Sequence, residues 1–546
     1  MTRIAERAGL PAASNYQIKI FEAIESAVNK ITTGEAPNSL IIEAKPGSGK
    51  TTVGVAATRL IPQEIPSLFV AFNKKIQEEL ALRLPPGIPA RTFHSHWLRQ
   101  WNRFTWKRYK KSADINKFKV QNAVEKHFGL DKYRRRRNLN PALEAEIKRK
   151  RSQADDVVFL VEKAKMFGVV PLGYPEGKSV TGYDDNDFFW IHVIEHFNHT
   201  PTANIDIGVT IDIAREILWQ GLENEVEVDF ADMLYLPAVK NVPSEKFLVV
   251  MIDECQDLDG LQRYLLSRMV DNIGMIVAIG DRRQSIYSFR GADADSMDRI
   301  KNDFNCSELP LSISYRCAQA IVAEAYRIYP EIESAPDAPV GSVERPEYWK
   351  IEDFKPGHLI VCRNNAPTVS LAYKLIRQRI PAKVLGRDIG DGLMKLIRSV
   401  NEDGTLPELI TNLLAWKDHQ LLLIDRRNPN NERAKEQIRD KYECIAELAA
   451  DDRIGNVDQL LALIDQMFTT TAEEKQAVSS GRVTLSTIHK IKGAEADTVF
   501  VLDPHLINPA WVQSEWQAEQ EENLRFVAVT RAKNRLVFIN SKTIRS

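Results

Sequence analysis

At 546 residues the chain is too long for a single hydrophobic core and must divide into several domains. Its 44% hydrophobic and 27% charged residues are ordinary for a globular protein, and a net charge of −1 excludes a chain that is cationic throughout. Five cysteines (Cys255, Cys306, Cys317, Cys362 and Cys444), none in a CxxC pair, argue against a zinc ribbon or a disulfide framework. A reducing, cytoplasmic setting fits that usage, and the absence of an apolar run of about 18 residues or of a signal-like N-terminus points to no membrane partner.

Asn15-Tyr16-Gln17 opens an amphipathic helix with Ile20, Phe21, Ile24 and Val28 at helical spacing. Gln17 precedes a loop described next, and its amide could pair a donor and an acceptor with an adenine edge, although a lone Gln is also an ordinary surface residue. Ser39–Ile42 is a short apolar run, predicted as a buried strand, followed by EAKPGSGKTT (residues 43–52) and a helix start at Val53. Strand, Gly-rich loop and helix in that order make a phosphate-binding loop. Gly47 and Gly49 let backbone N–H groups, with Ser48, face phosphate oxygens. Lys50 reaches the outer phosphates, Thr51 offers a hydroxyl to Mg²⁺, and Thr52 closes the motif at a helix N-terminus. Ala44 stands where GxxxxGK[ST] has its first Gly, a departure Ala tolerates at negative φ.

Ser67–Phe72 is a second buried strand, followed by Asn73 and a helix, and Arg91–Trp97 carries Thr92 and His94 at a strand end, where polar and aromatic groups suit a single nucleic-acid strand. From Arg99 to Arg151 there are eighteen Lys plus Arg against five Asp plus Glu. In this region Trp101, Phe104, Trp106 and Tyr109 interleave with Arg103, Lys107, Arg108, Lys110 and Lys111. Arg134–Arg137 form a basic run, and a long helical pattern covers Pro141 to Phe167. Two readings stay open for the interleaved segment: a base-stacking, phosphate-holding surface, or a solvated helical face with its own small core. His192-Val193-Ile194-Glu195-His196 matches HxxEH, but its aromatic flanks and the lack of a third ligand favour a core helix.

Lys246–Ile252 is a continuous apolar strand that delivers Asp253-Glu254-Cys255-Gln256-Asp257 to its C-terminal end, where Asp253 can hold Mg²⁺ through water and Glu254 can activate an attacking water. Met275–Ile279 is the next strand, ending in GDRRQSIYSFRGA (residues 280–292). With DECQD before it, this run resembles the UvrD/Rep/PcrA family of superfamily-one helicases. Leu309–Arg316, His358–Asn364, VTLSTIHKIKGAE (483–495) and EENLRFVAVTRA (521–532) resemble that family's further motifs in order. VAFNK and EENLRFVAVTRAK are similar to the helicase part of F-box DNA helicases, without an evident F-box.

The resemblance implies an α/β fold of two RecA-like P-loop NTPase domains, each with an inserted, mainly helical subdomain. The expected boundaries are 1–104 plus 226–306 for the first core, 105–225 for its basic insertion, 307–389 plus 478–546 for the second core, and 390–477 for its insertion. Helices are expected from Pro407 to Leu423 and from Asn431 to Ala450. It further implies ATP-dependent translocation on single-stranded DNA with unwinding of single-strand/duplex junctions, the 3′→5′ polarity being implied by the family alone; a motor subunit of a nuclease or defence complex, and a single-strand-stimulated ATPase that strips proteins from DNA without net unwinding, stay open beside it. ATP and Mg²⁺ are the implied cofactors. ATP would lie between the cores, with Lys50, Thr51, Asp253 and Glu254 on one side and Arg316 and Arg531 on the other. Gln284 would sense the γ-phosphate, and Glu495, with Gly493, would meet the ribose. Arg531 is expected on a helix following the Leu524–Val529 run. Asn73, Thr92, His94, Tyr287, Phe289, Thr487 and His489 would touch DNA. Protein partners would act through the insertions, and no fused nuclease is expected.

Overall fold

The apolar runs become strands of two parallel sheets in a computed structural model of the chain. It describes residues 2–133, 140–197, 199, 201–202, 205–286, 295–401, 404–427, 429, 431–468, 478, 481–491, 493–509, 512 and 515–545. Two compact units result. The first runs to Leu311, apart from Lys45–Ser48 and Arg283–Ile286; those two segments belong with the second, from Ser312 onward.

In the first unit, β1 (Ser39–Ala44), β2 (Ser67–Ala71), β3 (Ala90–Thr92), β4 (Phe247–Ile252), β5 (Val270–Gly280) and β6 (Cys306–Leu311) form one sheet in the order β3-β2-β4-β5-β1-β6, parallel throughout. Side chains alternate along each strand between two buried faces. Leu40, Ile42, Phe69, Val249, Met251, Val277 and Ile279 join one apolar cluster, with Ile20, Phe21 and Ile24 of α1 (Asn15–Thr32) and Val53 and Ala57 of α2 (Lys50–Thr58). Ile41, Leu68, Val70, Val250, Ile252 and Ile276 point the other way. There they meet α3 (Phe93–Tyr109) and, continuous with it, the inserted α4 (Pro141–Met166), α5 (Asp187–His196) and α6 (Ile207–Glu223), followed by α7 (Asp232–Val239) of the core itself. The insertion therefore shares the sheet's core instead of building a separate one. Asn140 caps α4 by accepting from Leu143 N–H at 2.8 Å, and Pro141 lies in the first turn, where its missing N–H costs nothing. The basic run at 134–137 lies outside the described residues.

In the second unit, β7 (Ser342–Glu344), β8 (Leu359–Cys362), β9 (Ala382–Val384), β10 (Val483–Thr487), β11 (Ala496–Leu502) and β12 (Ala532–Ile539) form a second parallel sheet, ordered β7-β12-β11-β8-β10-β9. Ile360, Leu485, Phe500 and Val537 pack in one cluster with Leu409 and Leu413 of α8 (Leu406–Arg427) and Ile445 and Leu448 of α9 (Glu432–Ala449). The last helix, α10, spans Glu515–Val529. Two parallel α/β sheets, each extended by inserted helices, are the expected RecA-like fold class. Some edges move. β5 starts at Val270, five residues earlier than the apolar run suggests, and the Leu309–Arg316 segment divides, with Ile313–Ser314 pairing Glu333–Ser334. Among the described residues, no helix is long and apolar enough to cross a membrane.

Candidate nucleotide and nucleic-acid site

The loop after β1 is shaped by local backbone geometry. Ala44 is the last residue of β1, buried and in strand register with Leu311, which is why Ala serves where the motif has Gly. Gly47 has φ +75°, and a Cβ there would lie 2.5 Å from Cβ of Arg316 and 2.7 Å from Oγ of Ser314. Tyr315 N–H donates to the Gly47 carbonyl at 2.9 Å, and Lys45, almost fully buried, pairs with Glu331. Ser48 is fully buried, with no hydrogen-bond partner for its hydroxyl among the described residues. Gly49 caps α2 in the left-handed region with no side chain over the helix end, so the first-turn N–H groups face outward as an anion site requires. Lys50 Nζ donates to the Ala44 carbonyl at 3.2 Å, and Thr52 lies exposed, its Oγ1 3.4 Å from Arg83 Nη2.

β4 brings its carboxylates to α2. Thr51 Oγ1 donates to Asp253 Oδ2 at 2.6 Å, and Glu254 N–H donates to Asp253 Oδ1 at 3.0 Å. Burial first, then the neighbouring Glu254 carboxylate, push the Asp253 carboxyl up to about 6, against the opposing pull of Thr51 and Lys50. A hydroxyl and a carboxylate are hard oxygen donors, and a cation would relieve the raised carboxyl, so these two residues fit Mg²⁺ with water and phosphate oxygens completing its shell. Glu254 itself sits at φ +56°, ψ +42°, a left-handed conformation that costs a non-Gly residue about 1–2 kcal/mol. Its Oε2 accepts from Gln256 Nε2, while Gln256 Oε1 accepts Asp281 N–H at 3.1 Å. Gln256 thus ties the end of β4 to the end of β5. Gly280 leaves room for it, since a Cβ there would stand 2.5 Å from Gln256 Oε1. Nothing in the motif spacing assigned Gln256 a task, although it lies inside the DECQD run.

The second unit gathers residues that are far apart in sequence. Arg531 is almost fully buried and donates from Nη2 to Gln284 Oε1 (3.2 Å), from Nε to the Val527 carbonyl (3.1 Å) and from Nη1 to the Ala494 carbonyl (3.3 Å). The expectation of a helix following Leu524–Val529 is corrected: that run is the end of α10 itself, and Arg531 lies in the turn between α10 and β12. The run is apolar because α10 packs it into the core, with Phe526, Val527 and Val529 wholly buried. Arg316 Nε contacts Glu495 Oε2 at 2.5 Å, and Lys533 Nζ contacts Glu495 Oε1 at 2.7 Å. Burial raises the Glu495 carboxyl, but Lys533 and Arg316 outweigh it and hold it below its ordinary value. Lys533 was visible as the Lys after VTRA but unassigned. Gly493, at φ +89°, has open space where a Cβ would stand.

The remaining sequence candidates divide. Gln17 is buried, and its Oε1 accepts Ser14 N–H at 2.8 Å in a capping box. Asn73 accepts from Ile76 N–H at 3.0 Å, and Thr92 from Ser95 N–H at 3.1 Å, so both cap helices. His94 lies tilted against the exposed Phe230, ring centroids 4.4 Å apart, and burial pushes its imidazole down to about 4, keeping it neutral. Thr487 ends β10 and is buried; His489 follows in the turn, half-buried. Tyr287 and Phe289 lie outside the described residues. In the HxxEH segment, the His192 and His196 rings are 5.4 Å apart, and His192 stacks on Tyr183 at 5.7 Å. Among the described residues no three His, Cys, Asp or Glu side chains cluster as metal ligands.

Comparison with known proteins gives matches to two family domains and to several relatives. Residues 24–305 match the UvrD/REP helicase N-terminal domain, and residues 405–543 match the UvrD-like helicase C-terminal domain. The chain is similar to DNA helicase II of Escherichia coli (24% identity, covering 47% of this chain and 41% of that protein). It is also similar to a probable DNA helicase II homolog of Mycoplasma genitalium (23% identity, 55% of each). A shorter stretch, 20% of this chain and 10% of the relative, is 29% identical to an ATP-dependent helicase/nuclease subunit of Carboxydothermus hydrogenoformans. The chain spans less than two thirds of the length of these relatives. With the N-terminal match alone covering more than half of its residues, the chain belongs to the UvrD/REP helicase family.

Proposed function

We propose that this protein is an ATP-dependent DNA helicase that translocates on single-stranded DNA in the 3′→5′ direction and opens single-strand/duplex junctions in replication, repair or recombination. The observation that carries the reading is the set formed by Thr51, Asp253 and Glu254 at the end of β4, beside the outward-facing N-terminus of α2. ATP is the substrate. Its phosphates lie on the loop N–H groups and Lys50, and Glu254 orients the attacking water. Thr51 and Asp253 would hold Mg²⁺, which would supply charge neutralisation. Arg316 and Arg531 stabilise the charge that develops, with Gln284 as phosphate sensor and Glu495 beside Gly493 toward the ribose. Gln17 adds one hydrogen bond to the base. Asn73, Thr92, His94, Tyr287, Phe289, Thr487 and His489 line the DNA path. The domain limits are those drawn from the motifs, with the first core taken on to Leu311, where its last strand ends, and the setting is cytoplasmic.

A second reading is supported by the similarity to a helicase/nuclease component: the chain is the motor of a larger complex, engaging partners through its insertions. Strand displacement by the purified chain, on duplexes with 3′ or 5′ single-stranded tails, decides between them. Unwinding of the 3′-tailed substrate only, abolished in Lys50→Ala, is the expected result. ATP hydrolysis stimulated by single strands, without strand separation, favours the complex-bound motor. No DNA-stimulated hydrolysis at all sinks both.

A further inference from the structure

The interleaved aromatic and basic residues of α3 are sorted by the fold into two opposite faces. Trp101 is wholly buried, donates its indole N–H to the Glu225 carbonyl at 3.0 Å and stacks on Phe104. Tyr109 donates to Glu225 Oε2 at 2.8 Å, and Arg108 faces Glu225 and Glu176. This face is consumed by packing. Arg99, Arg103 and Lys107 lie on the other face at successive four-residue steps, about 6 Å apart along the axis. All three are exposed, and none forms an ion pair with a carboxylate among the described residues. Trp106 stands among them with 56% of its surface exposed. Together with Leu98 and Asn102 they line a groove of about 700 Å³ that contains no carboxylate. The groove begins at Ser95, one residue beyond His94.

We propose that this outer face of α3 is a second nucleic-acid surface, which carries the single strand onward from His94 toward the inserted helices. The cations take successive backbone phosphates, and Trp106 stacks on an unpaired base. A duplex would satisfy the cations equally but would offer no free base face to Trp106, so the occupant is single-stranded DNA. An exposed indole among cations that have no carboxylate partner matches such a ligand in both charge and shape; Arg103 donates only to the neutral Gln100 amide, at 3.2 Å. The inference rests on the helicase reading for its ligand but not on the hydrolytic residues.

The test uses the full chain with two variants, Arg99→Gln/Arg103→Gln/Lys107→Gln and Trp106→Ala, titrated with an oligothymidylate over a range of salt. The triple variant should reduce the slope of log affinity against log salt by about 2, since each single-strand phosphate contact contributes about 0.7. Trp106→Ala should bind about 5- to 150-fold more weakly and lose part of the fluorescence quenching seen on binding. Hydrolysis without DNA should stay at the wild-type rate and the melting temperature should hold, because all four side chains are solvent-facing. If wild-type hydrolysis is stimulated by DNA while both variants keep wild-type affinity and salt slope, the α3 surface is overturned and the helicase reading stands. A wild-type protein that binds no oligothymidylate overturns both. Equal losses on a blunt duplex and on the single strand overturn the choice of occupant.

Discussion

Replacing Arg531 by Ala should separate chemistry from nucleotide binding, at a structural cost that the burial of the guanidinium makes calculable. Three acceptors lose a donor: the Val527 carbonyl, the Ala494 carbonyl and Gln284 Oε1. The Val527 carbonyl keeps a contact from Thr530 Oγ1 at 3.3 Å and the Ala494 carbonyl is only part-buried, so the loss falls mainly on the buried contact with Gln284. At about 1–3 kcal/mol for a lost buried hydrogen bond, the variant should be about 1–3 kcal/mol less stable. That is a large share of a typical domain's stability, so activity must be read well below the melting temperature. Catalysis should suffer more. A guanidinium that stabilises phosphoryl-transfer charge is worth roughly 10³-fold or more in turnover, whereas Lys50, Thr51 and Asp253 remain to hold the nucleotide. The assays are single-turnover ATP hydrolysis at saturating single-stranded DNA, equilibrium binding of a fluorescent ATP analogue, and thermal melting. Arg531→Lys should restore much of the stability but little of the rate, because an ammonium cannot reproduce the planar fork. A folded Arg531→Ala protein that turns over ATP within a few-fold of wild type refutes the reasoning.

Three shorter predictions concern the first unit. Glu254→Gln keeps the side chain's shape but cannot accept a proton. It should bind Mg-ATP near normally while hydrolysis falls by roughly 10²-fold or more, and a collapse of ATP affinity instead would make Glu254 structural. Gln256→Leu removes the donor to Glu254 and the acceptor for Asp281 N–H. Turnover should fall roughly tenfold or more with little change in KM, because Glu254 loses the donor that holds its carboxylate in place. Unchanged turnover with lowered stability would leave Gln256 a packing residue only. Asp253 is raised to about 6, so below that pH the metal-free carboxyl is neutral and Mg²⁺ must displace its proton. Apparent Mg²⁺ affinity in the presence of ATP should be flat above about pH 6 and fall by about tenfold per pH unit below it. A profile equally flat in wild type and Asp253→Asn would count against Asp253 as the ligand.

What was readable in the chain is what short-range geometry dictates. The loop around Gly47 and Lys50 needs only a strand before it and a helix after it, and DECQD needs only to follow an apolar strand in a parallel sheet. Both the strand-end location of Asp253 and the N-terminal location of Thr51 are local, and their meeting at 2.6 Å follows once β4 and β1 share one sheet. The alternation of buried residues along β1, β2 and β4 was not readable, because strands buried on both faces are apolar throughout. Tertiary structure alone decided the sides of α3: Trp101 and Trp106 are the same residue type five positions apart, and only the Glu225 segment, more than a hundred residues later, makes one core and leaves the other exposed. It also decided that Arg531 meets Gln284 from a turn, 247 residues away in sequence. Periodicity reports what a residue can do within its own element. Which partner it finds is set by the packing of elements that the chain brings together only on folding.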